Sequence, residues 1–214
     1  MARPFAAPVP TVPTTRSESP DSGGWGAAHA QPPKASICVL TGERGAGKSV
    51  LCKRVADEAG RRGLSVAGLV TERLDDAPGS PRRVIDLASG ESRLFGSQRA
   101  AAAGTDPLTP GWDYDQGMFD WANQVLSRST PCDLLIVDEV GPLELKGSRG
   151  WVKALEALCA GDFRVALVVC RPALLPELTE RLGSEPTQFT EVDLDTRESL
   201  AATLLQAMFP ARSR

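Results

Sequence analysis

Apolar residues recur along this chain in two rhythms that alternate. Short, nearly continuous apolar runs at Ser36–Thr41, Leu64–Glu72, Cys132–Glu139, Phe163–Cys170 and Thr187–Val192 predict β-strands. Between them, apolar positions three and four apart predict helices over Val50–Gly63, Asp113–Ser127, Trp151–Ala160, Pro172–Leu182 and Thr196–Met208. The unbroken apolar stretch Leu134–Val137 suits a strand covered on both faces, as in the middle of a parallel sheet. One region breaks the alternation. Arg82–Leu87 and Glu91–Phe95 flank Ala88-Ser89-Gly90 and predict a β-hairpin, at a sheet edge or over the site. Residues 97–112 follow as a long connection, expected to be a mobile segment near the site. The fold class expected is α/β: a three-layer, mostly parallel sheet with helices on both faces and an inserted hairpin.

Composition trims this picture at one end. Residues 1–33 hold seven of the 17 prolines, among small and polar residues. Such a segment buries too little apolar surface to offset its ordering entropy, so a disordered tail is expected, with the folded domain over 34–214. The net charge of −3 supplies no electrostatic reason to bind nucleic acid or an anionic membrane. No stretch has the apolar length of a transmembrane helix, and the proline-broken start lacks a signal peptide's apolar centre, so a cytoplasmic protein is expected. The five cysteines show no C-x-x-C spacing and read as reduced core thiols. The single histidine, His29, lies in the tail, which leaves carboxylates, lysine and arginine to carry the chemistry.

That chemistry begins directly after the first predicted strand. Gly42-Glu43-Arg44-Gly45-Ala46-Gly47-Lys48-Ser49 has the form G-x-x-x-x-G-K-S and leads into a helix. Successive backbone N–H groups of such a loop curl around an anion, and glycines allow the close approach. The helix N-terminus adds unpaired N–H groups and the positive end of its dipole. Lys48 is expected to reach the β- and γ-phosphates, and the Ser49 hydroxyl to ligate Mg²⁺. Glycine-loop residues Gly42, Glu43, Arg44, Gly45, Ala46, Gly47, Lys48 and Ser49, together with Val50, form the expected nucleotide-binding set.

A second half-site lies far downstream. Leu134-Leu135-Ile136-Val137-Asp138-Glu139 is a run of four apolar residues ending in acids. The strand delivers Asp138 to the carboxyl edge of the sheet, where open α/β folds bind ligands, and makes it a second anchor for Mg²⁺. Glu139 is placed to polarise an attacking water. Asp138-Glu139-Val140-Gly141 also fits the D-x-x-G of guanine switches. The chain has one asparagine, Asn123, so the N-K-x-D element of such switches is absent and base preference stays open.

Thr41–Leu51, Gly68–Glu72 and Asp138-Glu139-Val140-Gly141-Pro142-Leu143-Glu144-Leu145 together resemble the small P-loop nucleoside-triphosphatase family first described from thermophiles. The similarity runs from about residue 35 to 208. It implies a RecA-like sheet and Mg²⁺-dependent hydrolysis of ATP, GTP and other nucleoside triphosphates. It also implies that Glu139 is the water-activating base and that Glu144 lies near the site. Glu43-Arg44 departs from the proline-containing turn of many members.

Further positive charge is needed on the γ-phosphate, and Arg171, directly after the strand ending at Cys170, is the foremost candidate. Arg44, Arg73 and Arg149 rank behind it. Arg82, Arg83 and Arg93 on the hairpin read as a solvated or base-proximal face. Phe95, Trp112, Tyr114 and Trp151 could stack on a base, with core packing the default for each. The expected activity is that of a nucleoside-triphosphate phosphohydrolase. A small-molecule kinase and a nucleotide-dependent switch or assembly factor remain alternatives, and any protein partner is unknown.

Overall fold

In the computed structural model the described residues are 35–75, 77, 79–98, 107–183, 188–193 and 197–210. In chain order the elements are β1 (Ser36–Thr41), α1 (Lys48–Arg61), β2 (Val66–Arg73), β3 (Arg82–Asp86), β4 (Ser92–Gln98) and β5 (Trp112–Tyr114). There follow α2 (Gln116–Ser127), β6 (Cys132–Val140), α3 (Pro142–Gly147), α4 (Val152–Ala160) and β7 (Phe163–Cys170). After a single 3₁₀ turn at Pro172–Leu174 come α5 (Leu175–Leu182), β8 (Gln188–Glu191) and α6 (Arg197–Met208). The expected tail, 1–33, lies outside the described residues, as does half of the expected mobile connection, at 99–106.

The eight strands form one sheet in the order β5-β4-β3-β2-β6-β7-β1-β8. The half from β2 to β8 is parallel, and β7 separates the strand that ends in the glycine loop from the strand that carries Asp138. The strict two-residue period of a strand explains the two helical layers. Leu134 and Ile136 of β6, with Val165, Leu167 and Val169 of β7, turn to one face and pack on α1 and α6. Leu135 and Val137, with Ala166, Val168 and Cys170, turn to the other face and meet α2, α4 and α5. Helix α1 answers with Leu51, Cys52, Val55, Ala56 and Ala59, one buried stripe at helical spacing.

The hairpin sits at the sheet edge. β3 pairs antiparallel with β2, β4 with β3, and β5 with β4, so the sheet is lengthened beyond a simple hairpin. Two expectations need correcting here. Residues 112–114 are a strand, and α2 starts at Gln116 behind Asp115, whose carboxylate accepts from the Met118 N–H at 3.2 Å. The helical spacing of Phe119 to Leu126 does not extend back across that N-cap. The short helix α3 goes unannounced in the sequence because six residues are too few to show a period. Of the thiols, Cys38, Cys52 and Cys170 are buried, but Cys132 is half-buried and Cys159, on α4, is exposed.

Candidate active site

The glycine loop bridges β1 and α1 at the carboxyl edge of the sheet. Gly42 has φ +130°, and a Cβ there would collide with the carbonyl oxygen of Val192, which itself donates its N–H to Thr41 O at 2.9 Å. The loop is thereby pinned against the end of β8, and only glycine fits the approach. Gly47 takes a left-handed conformation at φ 92° and caps α1 with no side-chain acceptor; the first turn carries no acid. The positive end of the helix is therefore uncompensated by its own residues, as anion binding requires. Lys48 is buried, and its ammonium donates to Gly42 O at 2.6 Å and Glu43 O at 2.8 Å, lying across the mouth of the loop. Burial pushes its pKa down, while Glu139 and Asp138 pull it up and Arg171 pushes it down again, so all three charges stand close by.

Ser49 and Asp138 meet across the intervening strand. The Ser49 hydroxyl donates to Asp138 Oδ1 at 3.1 Å, and Asp138 Oδ2 accepts from the Thr71 N–H and hydroxyl, both at 2.9 Å. Asp138 is 2 % exposed, and burial raises its pKa above the ordinary aspartate value, opposed by the Thr71 and Ser49 hydrogen bonds. A hydroxyl and a carboxylate oxygen converging on one point are the hard donors Mg²⁺ takes, and this ion normally combines one or two protein oxygens with phosphate oxygens and water. No group of three or more His, Cys, Asp or Glu side chains able to hold a metal occurs among the described residues. The residues thus fit a Mg²⁺ that arrives with a polyphosphate rather than a self-sufficient metal cage.

Glu139, the next residue, is held from the neighbouring strand end. Arg171 Nε donates to Glu139 Oε1 at 2.6 Å, the side chains being 54 % and 29 % exposed. An ion pair so open to water contributes only about 0–1 kcal/mol. Arg171 can therefore exchange Glu139 for a stronger anion at little cost. Beyond it, Glu144 Oε2 accepts from Gly141 N and Oε1 from Trp151 N, both at 2.8 Å, so one buried carboxylate ties both ends of the 141–151 segment. A Cβ built on Gly141 would stand 3.5 Å from Glu144 Oε2 and 3.9 Å from Glu139 Oε1. Glu144 is thus near the site but braces its floor.

That role has a measurable consequence. A Glu144→Gln side chain can serve only one of the two N–H groups as acceptor, so a loss of about 1–3 kcal/mol in urea unfolding is expected. Burial is the main cause of a Glu144 pKa raised above 4.5. The native state therefore holds this proton more tightly than the unfolded chain, and its stabilising contribution is full below about pH 4.5 and declines as pH rises through the folded pKa.

Among the lesser candidates, Arg83 pairs with Glu72, which also holds Lys53, and Arg93 pairs with Glu91 at 3.1 Å while stacking over Trp121. Both are thus engaged by the hairpin's own surroundings. Phe95, Trp112, Tyr114, Phe119 and Trp151 form one connected aromatic cluster between the antiparallel edge and α2, with Phe119 and Trp151 in the core and Phe95 and Tyr114 packed against it, as expected. Sequence reasoning gives no role to Thr71, the partner of Asp138, because that role depends on the β2–β6 register. It groups Arg82 with the other hairpin arginines, yet Arg82 lies opposite Arg73 in the β2–β3 ladder, at the carboxyl edge of β2.

A family model described as NTPase matches residues 37–205. The nucleoside-triphosphatase THEP1 of Pyrococcus abyssi is 38 % identical over 120 residues, 54 % of this chain and 64 % of that protein, just under two thirds of its length. THEP1 of Methanothermobacter thermautotrophicus is 30 % identical over 141 residues, 64 % of this chain and 77 % of that protein. Two solved structures share the fold at 20 % identity and a TM-score of 0.61. They are the solution structure of a human cancer-related nucleoside triphosphatase, covering 83 % of this chain and 100 % of that one, and the crystal structure of THEP1 from Aquifex aeolicus, covering 81 % and 99 %.

Proposed function

Because the chain belongs to the NTPase family whose model spans residues 37–205, we propose that it hydrolyses nucleoside triphosphates to the diphosphate and inorganic phosphate. The observation that carries this reading is the convergence of Lys48, Ser49, Asp138, Glu139 and Arg171 on one edge of the sheet. We assign the catalytic domain to residues 34–214. Among the described residues no helix is long and apolar enough to cross a membrane. A reducing, cytoplasmic setting suits five free thiols.

Phosphoryl transfer asks the protein mainly for alignment and charge neutralisation. The loop amides from Gly42 to Val50 and the start of α1 receive the phosphate chain, and the Lys48 ammonium moves from the Gly42 and Glu43 carbonyls to the β- and γ-oxygens. Ser49 and Asp138 would hold Mg²⁺, which supplies neutralisation of the β,γ-oxygens when bound. Glu139 accepts a proton from water as the water oxygen bonds to the γ-phosphorus, and the bond from that phosphorus to the β,γ-bridging oxygen breaks. Arg171 leaves Glu139 for the γ-oxygens, which both frees the base and neutralises growing charge. Base selectivity is loose, with ATP and GTP both substrates.

Phosphate release from a panel of nucleoside triphosphates, with and without Mg²⁺, tests the activity. Equimolar diphosphate and phosphate from several of them, only with Mg²⁺, is expected. Consumption of the γ-phosphate by an acceptor without free phosphate would replace hydrolysis with kinase chemistry. Arg171→Ala should lower kcat on the order of tenfold or more. A change within about twofold would reduce Arg171 to a surface ion pair.

A further inference from the structure

The antiparallel edge of the sheet brings a second guanidinium toward the same site. In the β2–β3 ladder Arg73 stands opposite Arg82, two residues beyond the Thr71–Val84 pair. The two-residue period puts Arg82 on the face of Val84, the face shared with α2 and the aromatic cluster. Thr71, which donates to Asp138 from the neighbouring strand, belongs to that same row. β3 lies two strands from β6, roughly 10 Å by ordinary strand spacing, and an extended arginine covers most of that distance.

What holds Arg82 is aromatic rather than acidic. Its guanidinium lies over the Trp112 ring, 5.1 Å from the centroid. Trp112 in turn stacks on Tyr114 at 5.9 Å and 11°, and both rings pack on Phe95. Among the described residues no carboxylate forms an ion pair with Arg82. Its nearest charges include two more guanidinium groups, Arg73 at the end of β2 and Arg44 in the glycine loop, with Asp138 and Glu139 on the other side. Burial and the two arginines press its proton affinity down. A half-buried cation that rests on an aromatic ring, within electrostatic reach of both the glycine loop and the carboxylates, is available to an anion that enters the site.

We propose that Arg82, stacked on Trp112 and delivered by the antiparallel edge, binds the γ-phosphate from the β2 side, opposite Arg171, and sets the preference for triphosphate over diphosphate. The inference rests on the nucleoside-triphosphatase reading and adds a specificity-determining residue to it. Two forks from opposite sides of Asp138 and Glu139 would enclose the terminal phosphate. ADP, which lacks that group, would leave Arg82 on its aromatic ring.

Isothermal titration with Mg²⁺ and either ADP or the non-hydrolysable imido analogue of ATP tests this in wild type, Arg82→Gln and Arg82→Lys. The expected result is a loss of about tenfold or more in affinity for the triphosphate analogue in Arg82→Gln, with ADP affinity within about twofold. Arg82→Lys should fall between, since a point charge replaces the fork. Without nucleotide, the melting temperature of Arg82→Gln should change little, because relief from the like charges of Arg73 and Arg44 offsets the stacking lost on Trp112. Equal losses for both nucleotides, or a lowered melting temperature with the triphosphate preference intact, would make Arg82 a structural cation and overturn the proposal. Wild-type protein that binds neither nucleotide would overturn the nucleoside-triphosphatase reading first, and this inference with it.

Discussion

Replacing Glu139 by glutamine is expected to lower kcat by about 10²–10⁴-fold, the usual contribution of a positioned general base. The change removes the proposed proton acceptor and little else. The amide side chain would keep an oxygen for Arg171 Nε, which donates at 2.6 Å to Glu139 in the native chain. It would also keep the side-chain volume. Nucleotide affinity should therefore stay within about threefold, since the interaction lost is made only in the transition state. Stopped-flow binding alongside phosphate release separates the two. A parallel fall in affinity would mean that Glu139 acts on substrate binding, and an unchanged kcat would remove it from the proton path.

Asp138→Asn should have an effect of similar size with a different signature. The amide oxygen can keep both Thr71 donors, and the amide nitrogen can donate to Ser49 Oγ in place of the bond that now runs from Ser49 to Asp138. The local geometry survives while the negative charge does not. Because burial disfavours the ionised form of Asp138, the neutral variant without nucleotide should melt at or above the wild-type temperature near neutral pH. Turnover should nevertheless fall by roughly 10²-fold or more, since a bound metal contributes several kcal/mol to the transition state. Mg²⁺ should no longer tighten nucleotide binding. Titrating Mg²⁺ against nucleotide affinity in both proteins checks this; an undiminished Mg²⁺ effect would place the ion elsewhere.

How far the sequence carries this reading differs between the two halves of the sheet. The parallel half is legible because β1, β6 and β7 are covered on both faces, so their composition is uniformly apolar, and the glycine loop and D-E pair punctuate their ends. The match of Ser49 to Asp138 follows from two motifs that each state where a strand stops. The antiparallel edge is different. Its hairpin is visible, but the register that puts Arg82 opposite Arg73 depends on a ladder formed only in three dimensions. β5, three residues long, is too short to declare a period; its Trp112 reads as the end of a connection and its Tyr114 looks equally at home in a helix. Glu144 shows the same limit from another side. Its position in the D-E-x-G-x-x-E-L stretch marks it, yet only the fold reveals that it holds the N–H groups of Gly141 and Trp151 rather than substrate.

The oxygen that ends up in the product tests the central claim most directly. Turnover of ATP in water enriched in heavy oxygen, followed by mass spectrometry of both products, should place one labelled oxygen in inorganic phosphate and none in ADP. That pattern requires water to attack the γ-phosphorus, the step that the proposed roles of Glu139, Lys48 and the glycine loop serve. Label in ADP, or transfer of the γ-phosphate to an acceptor with no labelled phosphate released, would contradict it.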